Sequence, residues 1–150
     1  MKRFAILALL IVAACETATT GTGSGSATGV SYPSDGFVTR NGIRAYPISA
    51  TKFEVLPGNS GLFDDYWCGA SEFARRRLGL PWSDRVYVAS KIQQSVTTGR
   101  RSAVEFSVNP QADGITPVDL SFRSGFTIGD SMSITQANTR CRIYQPFFDR

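Results

Sequence analysis

Most of the chain after residue 30 alternates between apolar and polar residues with a period of two. Such alternation is typical of strands that bury one face and expose the other, as in antiparallel sheets. The segment from Ile43 to Leu56 predicts one or two further strands, part of which Pro47 confines to a sheet edge. The alternating apolar positions are Val86 and Val88; Val104, Phe106 and Val108; Val118, Leu120 and Phe122; Met132 and Ile134; and Cys141 and Ile143.

One segment, DDYWCGASEFARRRLGLP, has a helical period instead. Asp64 or Asp65 can cap its amino end, and the three arginines at 75–77 complement the helix dipole in the last turn. Gly79 supplies a left-handed stop, and a proline follows two residues later. The segment therefore predicts a helix over about residues 65–78. Its apolar stripe is Trp67, Ala70, Phe73, Ala74 and Leu78.

The two patterns together predict an α+β fold, with one amphipathic helix packed on an antiparallel sheet of about five to seven strands. The sequence shows no internal repeat and no sign of a second domain, so residues 30–150 are expected to form a single domain. A domain of this length can bury a substantial core.

The amino terminus, MKRFAILALLIVAAC, is organised like an export signal. A basic head of two residues precedes an apolar run over residues 5–14, which is shorter than the roughly 20 residues of a spanning helix. The run ends in Val12-Ala13-Ala14-Cys15, which resembles the lipobox of bacterial lipoproteins.

This resemblance implies that residues 1–14 are removed and that Cys15 carries diacylglyceryl and N-acyl chains. Several chains on one residue would hold the protein firmly in a membrane. Glu16 stands where an aspartate can mark retention in the inner membrane, so the resemblance favours the outer membrane of a cell envelope, with the domain facing the periplasm. The alternative is an ordinary signal peptide with Ala-x-Ala cleavage, in which Cys15 is a chance residue.

The segment after the cysteine, residues 16–29, contains no large apolar residue. It predicts a flexible tether with a reach of about 20 Å. Removal of Lys2 and Arg3 would lower the basic residues from 16 to 14 against 12 acidic ones, so the net charge would fall from +4 to +2. This weak charge argues against a nucleic-acid-binding protein.

Once Cys15 is assigned to lipid, the remaining cysteines are Cys68 and Cys141. An even pair outside the cytoplasm predicts a disulfide, which would join the helix to the last predicted strand. The alternative is that Cys68 is a nucleophile. YWCGAS resembles the helix-start cysteine of NlpC/P60-type peptidoglycan hydrolases, but the catalytic histidine of that family has no counterpart, because the chain contains no histidine.

The missing histidine also excludes a Ser-His-Asp triad and removes the commonest nitrogen ligand of zinc. No glycine motif predicts a phosphate-binding cofactor site, and no EF-hand pattern predicts calcium. We therefore expect no cofactor and no metal. Carboxylates remain as candidate acid and base residues, each more simply explained as structural: Asp64, Asp65, Asp84, Glu105, Asp119 and Asp130.

Lys91, Arg100 and Arg101 lie on one predicted connection with the turn signal Thr98-Gly99. Two guanidinium groups and backbone amides there can contact an anionic surface such as lipid headgroups or the acidic patch of a partner. A solvated turn is the simpler interpretation. The aromatic residues near the helix, Tyr66, Trp67 and Trp82, predict either core packing or an aromatic-lined binding surface.

Two segments of the body, DYWCGASEFARRRLG and SVTTGRRSAVEFSV, resemble small uncharacterised envelope proteins of Gram-negative bacteria, a group with no activity to transfer. Our first hypothesis is a non-enzymatic, lipid-anchored protein that binds another envelope component: a protein, lipid headgroups or peptidoglycan. The alternatives are a hydrolase of peptidoglycan or lipid that uses carboxylates or a free Cys68, and a small-ligand binding module. A surface with one exposed apolar or basic patch favours the first hypothesis, two carboxylates in a cleft the second, and an inward cavity the third.

Overall fold

The computed structural model describes residues 36–58, 61–119 and 125–141. The export signal, Cys15 and the tether lie outside the described residues, as do Leu120, Phe122 and Ile143. The elements in chain order are β1 (Phe37–Val38), β2 (Arg44–Pro47), β3 (Lys52–Leu56), α1 (Phe63–Glu72) with a π-helical turn (Phe73–Arg77), β4 (Arg85–Val88), β5 (Val104–Ser107), β6 (Ser131–Ser133) and α2 (Ile134–Thr139).

The six strands form one antiparallel sheet in the order β1-β2-β3-β5-β4-β6. The connection from β3 to β4 passes through α1 and skips one position in the sheet, which β5 then fills. The predicted α+β class, with its main helix and antiparallel sheet, is confirmed. Pro47 lies beyond the two pairs that the described residues form between β1 and β2, so its missing N–H removes no hydrogen bond from those pairs.

The main helix starts two residues earlier than predicted, and its π-helical turn ends at Arg77, one residue before the predicted end. It begins at Phe63, and Leu62 precedes it without a side-chain cap, so the prediction that Asp64 or Asp65 caps the helix is wrong. Asp64 is instead paired with Arg140 at 3.3 Å, and both aspartates lie in the first turn, where their charge complements the dipole. Gly79 has φ +74°, the left-handed conformation that ends a helix.

One face of α1 packs closely on β2 and β3. The stripe residues Trp67, Ala70, Phe73 and Ala74 are buried, whereas Leu78 is partly exposed. Gly69 marks the closest approach, because a Cβ atom there would lie 2.6 Å from both Ile43 and Val55. The helix is therefore pressed onto the sheet at a position that only glycine fills.

The end of the described chain differs from the prediction. Ser133 and Gln136 form a reciprocal capping box that starts a second helix, α2, at Ile134. The prediction that Ile134 and Cys141 belong to strands is wrong, since Ile134 starts this helix and Cys141 follows its end. Val118 lies in no strand either, although its N–H donates to the Gly129 carbonyl at 3.0 Å.

No helix among the described residues is both long and apolar enough to cross a membrane.

Candidate functional site

The three predicted cations all belong to the connection between β4 and β5. Lys91, Arg100 and Arg101 are all exposed, and none has a carboxylate partner among residues 36–58, 61–119 and 125–141. We call residues 91–101 the basic loop. Three unpaired cations on one exposed segment attract anions without first having to break an ion pair.

The basic loop also exposes two aliphatic side chains. Ile92 is 55% exposed and Val96 is 61% exposed, the largest exposed fraction among the large hydrophobic side chains of the described chain. Cations beside exposed aliphatic groups are the combination that interfacial membrane-binding segments present to lipid. Neither residue was singled out from the sequence, because isolated apolar residues in a loop carry no periodic signal.

A buried carboxylate organises this loop from below. Glu54 on β3 is fully buried, on the face of the strand opposite to Phe53 and Val55. Its carboxylate accepts hydrogen bonds from the Ser95 and Thr97 hydroxyl groups. The backbone N–H groups of Val96 and Thr97 donate to the same carboxylate, at 2.9 and 3.2 Å. Four donors from three consecutive residues therefore converge on one side chain.

Further hydrogen bonds close the loop on itself. Ser95 N–H donates to the Arg100 carbonyl at 2.7 Å, and Gly99 N–H donates to the Ser95 carbonyl at 3.0 Å. Gln93 and Ala103 form an antiparallel bridge at its base. The basic loop is therefore a pre-organised structure, which loses little conformational entropy when it binds.

The loop is also attached to the main helix through Tyr66. The Tyr66 hydroxyl donates to the Ser102 carbonyl at 2.9 Å, next to the basic loop. Burial, and secondly the Asp65 carboxylate, raise the pKa of Tyr66 above its ordinary value of 10.0. The phenol therefore stays protonated and keeps donating this hydrogen bond at neutral pH.

A pocket of about 390 Å³ opens beside the start of the loop. Its walls combine the aromatic rings of Phe63, Tyr66 and Phe126 with Lys91 and Ile92 from the loop. Phe63 and Phe126 stack with their ring centroids 4.7 Å apart, so the apolar wall is continuous. The pocket adds an apolar surface next to the basic one.

Cys68 lies elsewhere and is part of a disulfide. Its sulfur is 2.13 Å from that of Cys141, with the two Cα atoms 4.9 Å apart. The predicted pairing agrees with this geometry, but the bond joins α1 to a residue two positions after the end of α2 instead of to a strand. Cys68 is also only 1% exposed, so it offers no thiolate for nucleophilic attack.

The candidate carboxylates are dispersed and most have structural partners. Glu105 contacts Lys52 at 3.6 Å and accepts a hydrogen bond from Gln93, and Asp130 accepts one from the Ser131 N–H. Among the described residues that line the pockets near Tyr66 and Trp82, one carries a carboxylate, Glu72. No three His, Cys, Asp or Glu residues in the described chain are grouped where they could hold a metal ion.

The three predicted aromatic residues have two different environments. Tyr66 and Trp67 belong to the core, where Trp67 packs edge-on against Phe106 at 5.2 Å. Trp82 is 44% exposed and lies against Arg75, outside the core. Core packing therefore accounts for two of these residues and leaves Trp82 available for binding.

Glu54 is the residue of the site that sequence reasoning missed. A glutamate alternating with apolar residues in Lys52–Leu56 looks like an ordinary solvent-facing position. The available signal was the hydroxyl-rich Ser95-Val96-Thr97-Thr98 segment, whose donors need an acceptor when they fold against a sheet.

Comparison with protein-family models, with curated proteins and with solved structures finds no match to this chain.

Proposed function

We propose that the chain is a lipid-anchored, non-enzymatic protein of a bacterial cell envelope whose basic loop binds anionic lipid headgroups. The observation that carries this proposal is the basic loop itself, which combines Lys91, Arg100 and Arg101 with exposed Ile92 and Val96. The resemblance of Val12-Ala13-Ala14-Cys15 to a lipobox supports the anchor and the envelope location, with the outer membrane favoured.

The expected binding free energy of the basic loop is suited to a surface that assists a lipid anchor. A cation close to an anionic membrane surface contributes about 1 kcal/mol, so three contribute about 3 kcal/mol. That is weak for a free protein, but a lipid on Cys15 and a tether with a reach of about 20 Å would keep the start of the domain close to the membrane. At the resulting high local concentration, weak contacts are sufficient to orient the domain on the surface.

The described residues support binding over catalysis. Cys68 is buried in a disulfide, Glu54 is fully engaged by the loop above it, and Asp64 is paired with Arg140. A hydrolase that uses two carboxylates would need them to face one cleft. The described lining of the surface pockets near Tyr66 and Trp82 does not supply such a pair.

The test is co-sedimentation of the mature chain, residues 15–150 with Cys15→Ser, with vesicles of phosphatidylcholine containing phosphatidylglycerol. Binding is expected to rise with the anionic fraction and to fall with added salt. Arg100→Gln/Arg101→Gln should weaken it about tenfold or more, since two cations are lost. The matched control, Arg40→Gln/Arg76→Gln, removes the same charge elsewhere and should leave binding nearly unchanged. Equal weakening by both variants would contradict a role for the basic loop.

A second candidate is a small-ligand binding function, favoured by the apolar pocket of about 390 Å³ at Phe63, Tyr66 and Phe126. A hydrophobic fluorescent probe, 1-anilinonaphthalene-8-sulfonate, distinguishes it from the headgroup proposal. Under this alternative, Phe126→Ser would abolish saturable probe binding and leave vesicle binding intact. Under the headgroup proposal, the apolar wall only supports Lys91 and Ile92, and the probe binds without saturation.

A further inference from the structure

A second cationic surface lies at the other end of the main helix. The basic loop contacts α1 near Tyr66, whereas on the helix this surface begins at Glu72, six residues further along the chain. At 1.5 Å per residue, the two surfaces are separated along the helix by about 9 Å or more. They can therefore be occupied independently.

The second surface consists of two pockets on either side of a shared aromatic residue. Each has a volume of about 400 Å³, and both are lined by Trp82 and Asn138. We call the pair the Trp82 groove. The remaining lining residues are Arg40, Glu72, Arg75 and Arg76 in one pocket and Thr135 and Thr139 in the other.

The groove is cationic overall. Arg76 is paired with Glu72 at 2.9 Å, and its guanidinium group lies 5.2 Å from the centre of the Phe37 ring. Arg75 lies 5.3 Å from the centre of the Trp82 ring and donates to the Leu80 carbonyl. The side chain of Arg40 is exposed and has no carboxylate partner in the described parts of the chain. Three arginines against one glutamate leave an excess of two positive charges.

Trp82 is held in place by its backbone and not by burial of its ring. Its carbonyl accepts hydrogen bonds from the N–H and the hydroxyl of Thr135, at 3.2 and 3.0 Å. The ring itself is 44% exposed. A large indole fixed at its base and open to solvent provides a rigid apolar surface, and ordering its side chain on binding costs little entropy.

We propose that the Trp82 groove binds an acidic glycan. A pyranose ring has an apolar face of C–H groups, which stacks on an exposed indole, and an edge of hydroxyl groups, which the Asn138 amide and the threonine hydroxyls can bind. A carboxylate on the sugar would pair with the Arg40 guanidinium in a charge-assisted contact. An inorganic anion would use the arginines but not the indole, and an apolar ligand would use the indole but not the arginines.

The proposal is independent of headgroup binding by the basic loop. If both hold, the two ends of the main helix contact two different materials, and the domain connects a membrane surface to a glycan layer. If the loop binds no lipid, the groove can still bind glycan. The experiments on the two surfaces therefore fail separately.

The test is isothermal titration calorimetry of the same mature chain with tetragalacturonate. Saturable binding is expected, with little binding of the fully methyl-esterified oligosaccharide, which keeps the ring and loses the charge. Arg40→Gln/Arg76→Gln should weaken binding about tenfold or more through loss of a charge-assisted contact, and Trp82→Leu should weaken it by a similar factor through loss of the stacking surface. Arg40→Gln alone should also weaken glycan binding. Because this variant leaves the stabilising Arg76–Glu72 pair intact, its effect does not arise from loss of that pair.

The matched control is Arg100→Gln/Arg101→Gln, which removes equal charge from the basic loop and should leave glycan binding unchanged. Absence of binding, equal binding of the methyl ester, or equal weakening by the loop variant would overturn the proposal. Weakened vesicle binding in Arg40→Gln/Arg76→Gln, without any effect on tetragalacturonate binding, would also overturn it and assign the groove to lipid.

Discussion

The buried carboxylate of Glu54 accepts a 2.9 Å hydrogen bond from the backbone N–H of Val96, the most exposed large aliphatic residue of the basic loop. A group in the interior of the domain thus determines the conformation of a group at its surface. Ser95 and Thr97 donate to the same carboxylate on either side of Val96 in the sequence. The shape of the proposed headgroup-binding surface therefore depends on one side chain of β3.

Replacement of Glu54 by glutamine should release the loop. The amide keeps one acceptor oxygen and places an NH₂ group where donors converge, so buried donors lose their partners at a cost of about 1–3 kcal/mol in the free energy of unfolding. Urea denaturation measures the loss, and faster hydrogen exchange at residues 95–99 locates it. The control is Glu105→Gln at the directly opposed position on β5, whose partly exposed pair with Lys52 is worth less than about 1 kcal/mol. Equal effects of the two variants would contradict the special role of Glu54.

The Cys68–Cys141 disulfide should supply a large share of the domain's stability. It closes a loop with a sequence separation of 73 residues, for which the chain-entropy model gives about 4.4 kcal/mol. Urea unfolding with and without dithiothreitol measures this difference. The double variant Cys68→Ala/Cys141→Ala should be as unstable as the reduced protein and insensitive to dithiothreitol. No dependence on reductant in the unsubstituted chain would show that the bond is absent in solution.

Gly69→Ala should destabilise the domain, although alanine is the better helix former. The added Cβ would lie 2.6 Å from Ile43 and Val55, so the helix must move away from the sheet, at a cost of about 1–3 kcal/mol. Thermal unfolding measures the change. Gly125→Ala is the control, because a Cβ there meets no atom of the described residues within 4 Å, and the free energy of unfolding should be unchanged within about 0.5 kcal/mol.

Tyr66 should make the domain less stable at alkaline pH. Because burial raises its pKa in the folded state above 10.0, the unfolded state loses the phenol proton first as the pH rises. The free energy of unfolding therefore decreases above pH 10, while below it Tyr66 contributes no pH dependence. Tyr66→Phe should remove this part of the decrease, in urea denaturation between pH 8 and 11. An unchanged slope in the variant would assign the alkaline loss to other groups.

The proposed lipid anchor predicts the intact mass and the number of free thiols of the protein in its native membrane. A chain processed before Cys15 and acylated on that residue has lost residues 1–14 and gained the mass of its acyl chains. Intact mass spectrometry without reductant should give this mass, and thiol labelling should find no free cysteine. An unacylated chain cleaved at another position would support the ordinary signal peptide.

The sequence predicted the fold class well because its strongest patterns arise from burial against a common core. Period-two alternation located β4 and β5, and the apolar stripe with Gly79 located α1 and its end. The short helix α2 was missed because it follows β6 directly, and two alternating apolar residues, Met132 and Ile134, cross that boundary. Its Ser133–Gln136 capping box was present in the sequence but is a weaker signal than periodicity.

The candidate site was only partly predictable. The sequence identified Lys91, Arg100 and Arg101, because basic residues beside a turn signal can be recognised without knowledge of the fold. Their common exposure beside Ile92 and Val96 depends on a hydrogen bond network between Glu54 and residues more than 40 positions away. No local pattern encodes such a contact. The Trp82 groove likewise brings together side chains from three separate segments, so only the folded chain reveals it.

The central claim, that the basic loop faces the membrane, is tested most directly on the lipidated chain in nanodiscs that contain phosphatidylglycerol. A headgroup-attached spin label broadens the NMR signals of amides that approach the surface. Strong broadening is expected at residues 91–101 and weak broadening around Trp82. In Arg100→Gln/Arg101→Gln, the two regions should be broadened equally. Broadening centred on Trp82, or none within the folded domain, would contradict the central claim.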